Sequence, residues 1–384
     1  MAIRKGSDLE ELVRAYFSRQ GFFALRSVSY RYDEEEVTDI DVWLYSRQSA
    51  SVRTKIIVDA KDKKSPKAFE RILWTKGMQI ALGCDRAIVA TTDCNPKVVQ
   101  FAQQQKVSIL NKGFLEKLER GIETKGRLTL EQFIENIQTY QSHKQDGDWL
   151  KRISDAKSSL ASLHGFPAFN KAMSSFRFFS ERAETRPHHR EQAIRCAFLS
   201  AAIGCIALDS ALERVIYEDH HVRYNSILKG VTYGDAGDAR TQKSIETVLN
   251  IISRGVENGR VIAKQARDGI HGIFEGIRAE IIAETFSREQ NAAMLFSVAR
   301  ELDNKAFGSE PKALLELSKD AKSIIGIFAD FVEIGRKYLL TPPQEIEKNE
   351  SSDTKEQEQM GMAMPQSGKS APDISQGEEQ KKLF

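Results

Sequence analysis

Hydrophobic and polar positions follow two different periods along the chain, and the period changes near residue 120. In the first part, short apolar runs rich in aromatic and β-branched residues alternate with stretches of helical spacing. The first kind of run predicts strands and the second predicts helices. The predicted strands cover residues 22–32, 37–45, 53–60, 85–92 and 107–110, and the predicted helices begin near residues 8, 67, 96 and 113. This order predicts an α/β layer in which a sheet is covered by helices.

After residue 120 the strand signals stop, and helical spacing continues to about residue 342. The predicted helices cover residues 128–140, 149–163, 168–184, 191–217, 242–286, 288–303 and 312–340. Several glycines in the 242–286 stretch are expected to kink or break it. The last part, residues 343–384, is rich in Glu, Gln, Lys and Ser and cannot bury enough apolar surface to fold. The sequence therefore predicts an α/β domain (1–120), an all-helical domain of unknown role (121–342) and a disordered tail (343–384).

Two of the predicted strands carry acidic residues at their ends. The run IIVDAK is apolar rather than alternating, as expected for a central strand that is buried on both faces. Asp59 and Lys61 follow at its end, two residues apart and therefore on one side. Burying this pair is costly unless it lines a polar cleft. On the preceding strand, Asp41 opens the apolar run VWL, while Asp39 lies on the same face and competes with it. We prefer Asp41 because the uninterrupted apolar run begins after it.

This arrangement resembles the PD-(D/E)xK nucleases, the restriction-endonuclease-like superfamily. Within that superfamily it is similar to Mrr-type restriction enzymes and archaeal Holliday-junction resolvases. The resemblance covers about the first 120 residues, and the opening RKGSDLE is similar to the entry helix of the resolvases. It implies that Asp41 and Asp59 hold one or two Mg²⁺ (or Mn²⁺) ions with the carbonyl of Ala60. It also implies that Lys61 orients or activates the attacking water and that Glu10 reaches a ligand water from the first helix.

The chemistry of phosphodiester hydrolysis suits these residue types. Mg²⁺ prefers carboxylates, carbonyls and waters in octahedral geometry. The ion polarises the phosphate and lowers the pKa of a bound water. We therefore expect a metal-dependent nucleic-acid phosphodiesterase, with DNA as the expected substrate, in restriction, defence or repair. Two alternatives stay open: a catalytically inactive nucleic-acid-binding or scaffold protein with a nuclease-like domain, and an ordinary Asp–Lys ion pair at a solvated strand end.

Composition narrows the class of protein without identifying its substrate. The chain has 384 residues and a net charge of +2, so it is not a polycation that coats nucleic acid. Four cysteines are scattered without C-x-x-C spacing, which is typical of a reducing cytosol rather than of a disulfide framework or a zinc cluster. The most apolar run, residues 201–208, is too short to span a bilayer and predicts a buried helix. We expect a soluble cytoplasmic protein with no membrane partner.

The helical part offers weaker chemistry. Residues 218–221 (EDHH) have metal-ligand types, but consecutive helical residues point in different directions, so a solvated helix end is the better interpretation. Arg214 with His220, and Arg182 with His188, have the R-x5-H spacing of the HEPN class of helical RNases, which leaves an RNase in this domain as a further alternative. The domain is otherwise expected to serve homo-oligomerisation, substrate selection or partner sensing.

The last five residues differ from the rest of the tail. Gln380, two spacer lysines, Leu383 and Phe384 resemble the bacterial sliding-clamp-binding peptide, in which the Leu and Phe enter an apolar pocket. A disordered tether would give such a peptide reach. The sequence therefore predicts a sliding-clamp contact at Gln380, Leu383 and Phe384, with a chance hydrophobic pair as the alternative.

Overall fold

The computed structural model describes residues 6–33, 35–61, 67–93, 95–121, 126–234 and 238–341. The strands are β1 (Phe23–Tyr32), β2 (Glu35–Arg47), β3 (Arg53–Lys61), β4 (Arg86–Thr91) and β5 (Ser108–Leu110). The helices around them are α1 (Gly6–Arg19), α2 (Ala68–Ala81), α3 (Pro96–Gln104) and α4 (Lys112–Gly121). The helices that follow are α5 (Leu130–Gln138), α6 (Trp149–Ser162), α7 (Phe166–Thr185), α8 (Arg190–Leu212), α9 (His220–Tyr233), α10 (Asp238–Gly255), α11 (Gly259–Glu275), α12 (Ala279–Phe286), α13 (Glu289–Ala306), α14 (Lys319–Phe331) and α15 (Lys337–Leu340).

The five strands form one mixed sheet in the order β1-β2-β3-β4-β5. β1, β2 and β3 pair antiparallel, and β4 and β5 continue the sheet parallel to β3. The direction follows from the connections, because short turns join the first three strands while α2 and α3 cross over between the last three. The prediction of an α/β part with a mixed sheet flanked by helices, followed by a helical part, is confirmed.

Both faces of the sheet are buried. Leu9 of α1 and Leu115 of α4 pack on one face, with Val58 from β3. On the other face, Ile57 of β3 belongs to the large cluster that contains Ile72 of α2 and the helical part of the chain. The central position predicted for β3 from its unbroken apolar run is therefore correct, since successive residues of the strand enter opposite cores.

Three local predictions are corrected. The second strand, predicted to begin at residue 37, already begins at Glu35, where it pairs with Tyr32. Helix α9 was not predicted, because its apolar positions are few and a glycine lies near its end. The single helix predicted for residues 312–340 is wrong, because the Ser318 hydroxyl accepts the backbone N–H of Ala321 at 3.1 Å and starts α14 afresh. In contrast, the predicted breaks within residues 242–286 are confirmed, since the stretch forms α10, α11 and α12.

Helix α8 is the central element of the helical part. The segment Pro187–Leu212 contains an 18-residue window with a mean hydropathy of 1.5 and is long and apolar enough to cross a membrane by length and composition. In the folded chain, 94% of that apolar window is buried against other elements, which is also what the core helix of a soluble protein shows. The burial predicted for residues 201–208 is confirmed.

The sheet and the helical part belong to one compact unit, Met1–Leu340. The boundary predicted near residue 120 falls at the end of α4. A buried ion cluster fastens the two parts together: Asp209 of α8, which is fully buried, accepts the Tyr45 hydroxyl at 2.7 Å. The same carboxylate pairs with Arg47 and Arg53 at 3.0 Å each. Residues 342–384, including the predicted disordered tail, lie outside the described residues.

Candidate functional site

The candidate site lies where β2 and β3 part. Their pairing runs from Arg47–Arg53 to Val42–Val58. Asp41 precedes Val42, and its carboxylate Oδ2 accepts the backbone N–H of Ala60 at 2.7 Å. A side-chain oxygen thus takes the place of a backbone acceptor at the point of divergence, and it keeps the buried N–H of Ala60 satisfied. Asp41 itself is buried, at 8% exposure.

Asp59 lies on the sheet face that α2 covers, since its register partner Val89 and its neighbour Ile57 both belong to that core. Its carboxylate is almost fully buried and is held by Arg71 of α2. The guanidinium donates from Nε to Asp59 Oδ2 at 2.8 Å and from Nη2 to Oδ1, and it stacks over the Trp74 ring at 4.3 Å. This fork-to-fork pairing supplies the counter-charge that a buried carboxylate needs.

Arg71 also connects the two acids electrostatically. Burial lowers the pKa of the Arg71 guanidinium, and the charge of Asp41 raises it. One cation therefore lies beside Asp59 and within electrostatic reach of Asp41. This contact is not recognisable in the sequence, since a separation of twelve residues between Asp59 and Arg71 matches no motif. A weak signal exists in retrospect, because a cation in the first turns of a helix lies where the dipole favours acids.

The other predicted site residues are arranged differently. Lys61 is the last residue of β3 and pairs with Thr91 of β4, and its side chain lies outside the described part of the structure. Glu10 pairs with Arg26 of β1 at 3.2 Å. Arg26 lies opposite Val42 on the face that α1 covers, the opposite face from Asp59. Of the two competing acids, Asp41 contacts β3.

Asp39 is exposed and accepts the Ser29 hydroxyl at 2.7 Å. The Arg26 cluster that holds Glu10 has two further acids, because Glu11 pairs with Arg26 at 3.2 Å and Glu131 pairs with it at 2.9 Å. Glu131 belongs to α5, so this cluster joins the α1 face of the sheet to the helical part. Glu10 thus has a structural contact whatever else it does.

The donor set meets the requirements of a hard divalent ion in part. Two buried carboxylates and the Ala60 carbonyl are oxygen donors, and Mg²⁺ often takes only one or two protein carboxylates, with waters and substrate phosphates as the remaining ligands. Arg71, however, contacts both oxygens of Asp59. Among the described residues no group of three or more His, Cys, Asp or Glu side chains is placed to hold a metal ion. The residues present therefore fit Mg²⁺ on the condition that Arg71 releases Asp59.

The predicted sites of the helical part have structural partners. His220 begins α9, and its Nε2 lies 3.0 Å from the Ser287 hydroxyl. Arg182 pairs with Asp146 at 3.4 Å and lies over the Phe178 ring. His188 lies in the short 3-10 turn Pro187–His189. Arg214 lines a cavity that it shares with Lys55 and Lys229. The RNase alternative stays a prediction.

The metal-ligand types at residues 218–221 do not form a group that could hold a metal within the described residues. His221 instead lies 3.1 Å from the Asn225 side chain through Nε2. Gln380, Leu383 and Phe384 lie outside the described residues, so the clamp contact stays a prediction. Comparisons with protein-family models, with curated proteins and with solved structures gave no match to this chain.

Proposed function

We propose that the first 120 residues form a restriction-endonuclease-like domain and that the chain is a Mg²⁺-dependent nuclease acting on DNA. The observation that carries the proposal is the meeting of two buried acids, Asp41 and Asp59, on adjacent strands at their point of divergence. Burying two neighbouring acids is costly without positive charge, and a divalent ion bound between them would supply that charge. The mixed sheet, with one acid on β2 and the D-x-K triplet on β3, supports the same interpretation.

The proposed roles follow from the contacts. Asp41 and Asp59 would hold the ion with the Ala60 carbonyl, and the ion supplies Lewis acidity toward the phosphate and lowers the pKa of its water. The N–H of Ala60 fixes the orientation of the Asp41 carboxylate, so one of its oxygens is placed in advance. Lys61, at the end of the same strand, is assigned to the attacking water by the resemblance. Arg71, once released from Asp59, becomes a fork-shaped donor suited to a phosphate oxygen.

The test is cleavage of linear, supercoiled, branched and single-stranded DNA, and of RNA, with and without Mg²⁺ or Mn²⁺. We expect metal-dependent cleavage of DNA that Asp59→Asn and Lys61→Ala reduce to background. Asp39→Asn is the matched control, because Asp39 is an exposed acid two residues from Asp41 on the same strand. Full cleavage in the Asp59 and Lys61 variants would reject the assignment. Equal loss in the Asp39 variant would reject the choice of Asp41.

A second candidate function is favoured by one specific observation. The Arg71 guanidinium already satisfies Asp59 in both oxygens. A nuclease-like domain that has become a nucleic-acid-binding scaffold would keep this pair permanently and would need no metal. Calorimetric titration with Mn²⁺ separates the two functions, because the scaffold predicts no heat that depends on Asp59.

A further inference from the structure

A cavity of about 540 Å³ lies at the other end of β3, between the sheet and the helical part. Its walls come from the start of β3, the turn after α2, the loop before α7, the end of α8 and one side of α9. Its charged and titratable lining residues are Lys55, His164, Glu213, Arg214 and Lys229. The volume falls within the range of about 300–1,000 Å³ that small-molecule sites occupy. No role in the proposed nuclease site uses this space.

The cations that line the cavity outnumber the acids. The side chains of Lys55, Arg214 and Lys229 make no hydrogen bond or ion pair with any residue that the structure describes. The one acid in the wall, Glu213, accepts the backbone N–H of Arg53 at 3.2 Å. The lining thus carries two more positive charges than negative ones, with His164 left out of the count.

Of the three cations, the Lys55 ammonium group gives the strongest indication that the cavity holds an anion. It is half-buried, and burial lowers its pKa, which means that the site penalises its charge. Arg214 lowers this pKa further, so the two cations lie within electrostatic reach of each other. Glu213 and Asp85 raise it, which offsets the penalty in part. Two cations that are held together next to an open cavity would be stabilised by an anion inside it.

The backbone leaves room for such an anion. Gly83 and Gly165 both have a φ of 60°, which glycine adopts readily and other residues rarely do, so these wall positions stay without side chains. Gly165 precedes α7, whose positive end lies at the same wall. A single inorganic anion would fill only a fraction of the volume. The ligand must therefore carry a neutral body as well as a negative group.

We propose that this cavity binds a phosphorylated small molecule of about mononucleotide size, with its phosphates on Lys55, Arg214 and Lys229. Phosphate is an anion whose several oxygens can accept hydrogen bonds from more than one cation at once. The site is independent of the proposed nuclease function. Lys55 and Asp59 are nevertheless four residues apart on one strand, about 13 Å along β3.

The experiment is calorimetric titration of the full chain with pyrophosphate, with a panel of ribo- and deoxynucleoside mono-, di- and triphosphates, and with a short single-stranded DNA oligomer. We expect one nucleotide class to bind with a stoichiometry of one. Arg214→Gln and Lys229→Gln, which change exposed side chains, should each weaken binding at least tenfold. Lys55→Gln should weaken binding at least as much while its melting temperature is checked separately. Lys264→Gln, an exposed lysine on α11, is the control that should bind normally.

Three results would overturn the proposal. The first is that no phosphorylated compound binds at millimolar concentration. The second is that binding is the same in the Arg214 and Lys229 variants as in the control. The third is that the single-stranded DNA binds through these residues while no mononucleotide does, because the cavity would then be part of a nucleic-acid-binding surface. Loss of nuclease activity through Asp59→Asn would leave nucleotide binding unchanged, so the two proposals fail separately.

A different observation carries a second inference. Helices α10 and α11 form an antiparallel hairpin, in which Glu246 and Arg267 pair across the helices at 2.9 Å. Large apolar side chains remain exposed on it: Val248 (55%), Ile251 (66%), Ile262 (41%) and Ile273 (69%). At 100° per residue, Val248 and Ile251 lie to one side of the buried Leu249. Ile262 and Ile273 lie to the corresponding side of the buried Ala263, so all four share one face, opposite the Glu246–Arg267 pair.

Two glycines on and beside this face have no explanation within the chain. Gly269 and Gly272, in the interior of α11, have helical backbone rather than positive φ, and a Cβ at each would meet nothing within 4 Å. Each glycine costs its helix about 1 kcal/mol relative to alanine. A surface that another helix approaches closely would account for bare backbone at these positions.

Charge favours a second copy of the chain as the occupant, and the face is somewhat smaller than a standard interface. Residues 238–275 carry six Lys or Arg and five Asp or Glu, so two copies of the hairpin do not repel each other and offer little attraction to nucleic acid or anionic lipid. The hairpin face measures about 25 Å by 20 Å from helix dimensions. That is about 500 Å² before surface relief is counted, against about 800 Å² per partner in a standard interface.

We infer that this face packs on its own copy in a two-fold dimer, which forms a four-helix bundle. Sedimentation of the full chain should show a dimer at micromolar concentration, and Ile251→Glu with Ile273→Glu should give a folded monomer. Ile80→Glu, an equally exposed apolar position on α2, should leave the dimer intact. A monomeric wild type, or a dimer that survives the double variant, overturns the inference. A wild type that dimerises only after removal of residues 342–384 also overturns it, because the tail would then be the occupant.

Discussion

Replacing Arg71 by methionine separates the metal site from a structural ion pair. Metal binding at Asp59 must break the two charged hydrogen bonds from Arg71. Charged hydrogen bonds contribute about 1.5–3 kcal/mol each, but the Arg71 side chain is 26% exposed and water replaces part of what it loses. We therefore expect Arg71 to oppose metal binding at Asp59 by about 2 kcal/mol, which corresponds to about 30-fold in the dissociation constant of the metal. Methionine keeps the length and the contact with Trp74.

Arg71→Met should therefore bind Mn²⁺ about 30-fold more tightly than the wild type in calorimetric titration. Without metal the same variant should be less stable by about 2–3 kcal/mol, because the buried Asp59 loses its counter-charge. Saturating Mn²⁺ should restore most of the lost stability. The two effects have opposite signs in one variant, which a general loss of packing cannot produce.

Two further variants complete this experiment. Arg336→Met removes an exposed arginine from its pair with Asp330 and should change neither metal affinity nor the response to Mn²⁺. Asp41→Asn, introduced into the Arg71→Met background, should remove the gain in affinity. An unchanged affinity in Arg71→Met, or a gain that persists without the Asp41 carboxylate, would refute the reasoning and favour the scaffold function.

Three other predictions concern stability and the tail. Asp209→Ala leaves two buried arginines without an acid and should cost about 3–5 kcal/mol in urea unfolding, whereas Asp330→Ala at the surface should cost under about 1 kcal/mol. Burial lowers the pKa of Lys157 from 10.5 to about 8, so the unfolded chain holds this proton longer, and stability should rise between pH 8 and 10.5. Relative to Lys157→Met, measured in parallel, that rise should reach about 3 kcal/mol, and a constant difference would contradict it. Alanine at both Leu383 and Phe384 should abolish binding to an immobilised bacterial sliding clamp, which persistent binding would disprove.

The strands were predictable because local patterns determine them. An unbroken apolar run identified β3 as a two-faced central strand, and adjacency in sequence placed Asp41 beside it. The partners of these acids were not predictable, because they depend on packing between distant elements. Arg71 meets Asp59 only through the rotation of α2 on the sheet. Glu10 is held in a cluster with Glu131, which depends on how α5 docks against β1.

The helical part was harder to predict for the same reason. Apolar spacing found α8 because its burial is nearly complete, and the glycines located the breaks after residues 255 and 275. Helix α9 was not predicted because few of its residues are buried. Its formation depends on contacts with α7 and α12 rather than on its own apolar pattern. Those contacts also form the cavity around Lys55, whose lining residues come from five separate stretches of sequence.

The two acids of the candidate site are not equivalent probes of function. Asp41 has a structural role whether the chain is a nuclease or a scaffold, since its carboxylate accepts the N–H of Ala60 where β2 leaves β3. Loss of activity in an Asp41 variant would therefore be ambiguous between a missing ligand and a displaced strand end. Asp59 has no backbone contact of this kind, and its only side-chain partner among the described residues is Arg71. Because asparagine at residue 59 keeps the shape and removes the charge, Asp59→Asn introduced into the Arg71→Met background, and compared with Arg71→Met alone, tests catalysis with the least disturbance of the sheet.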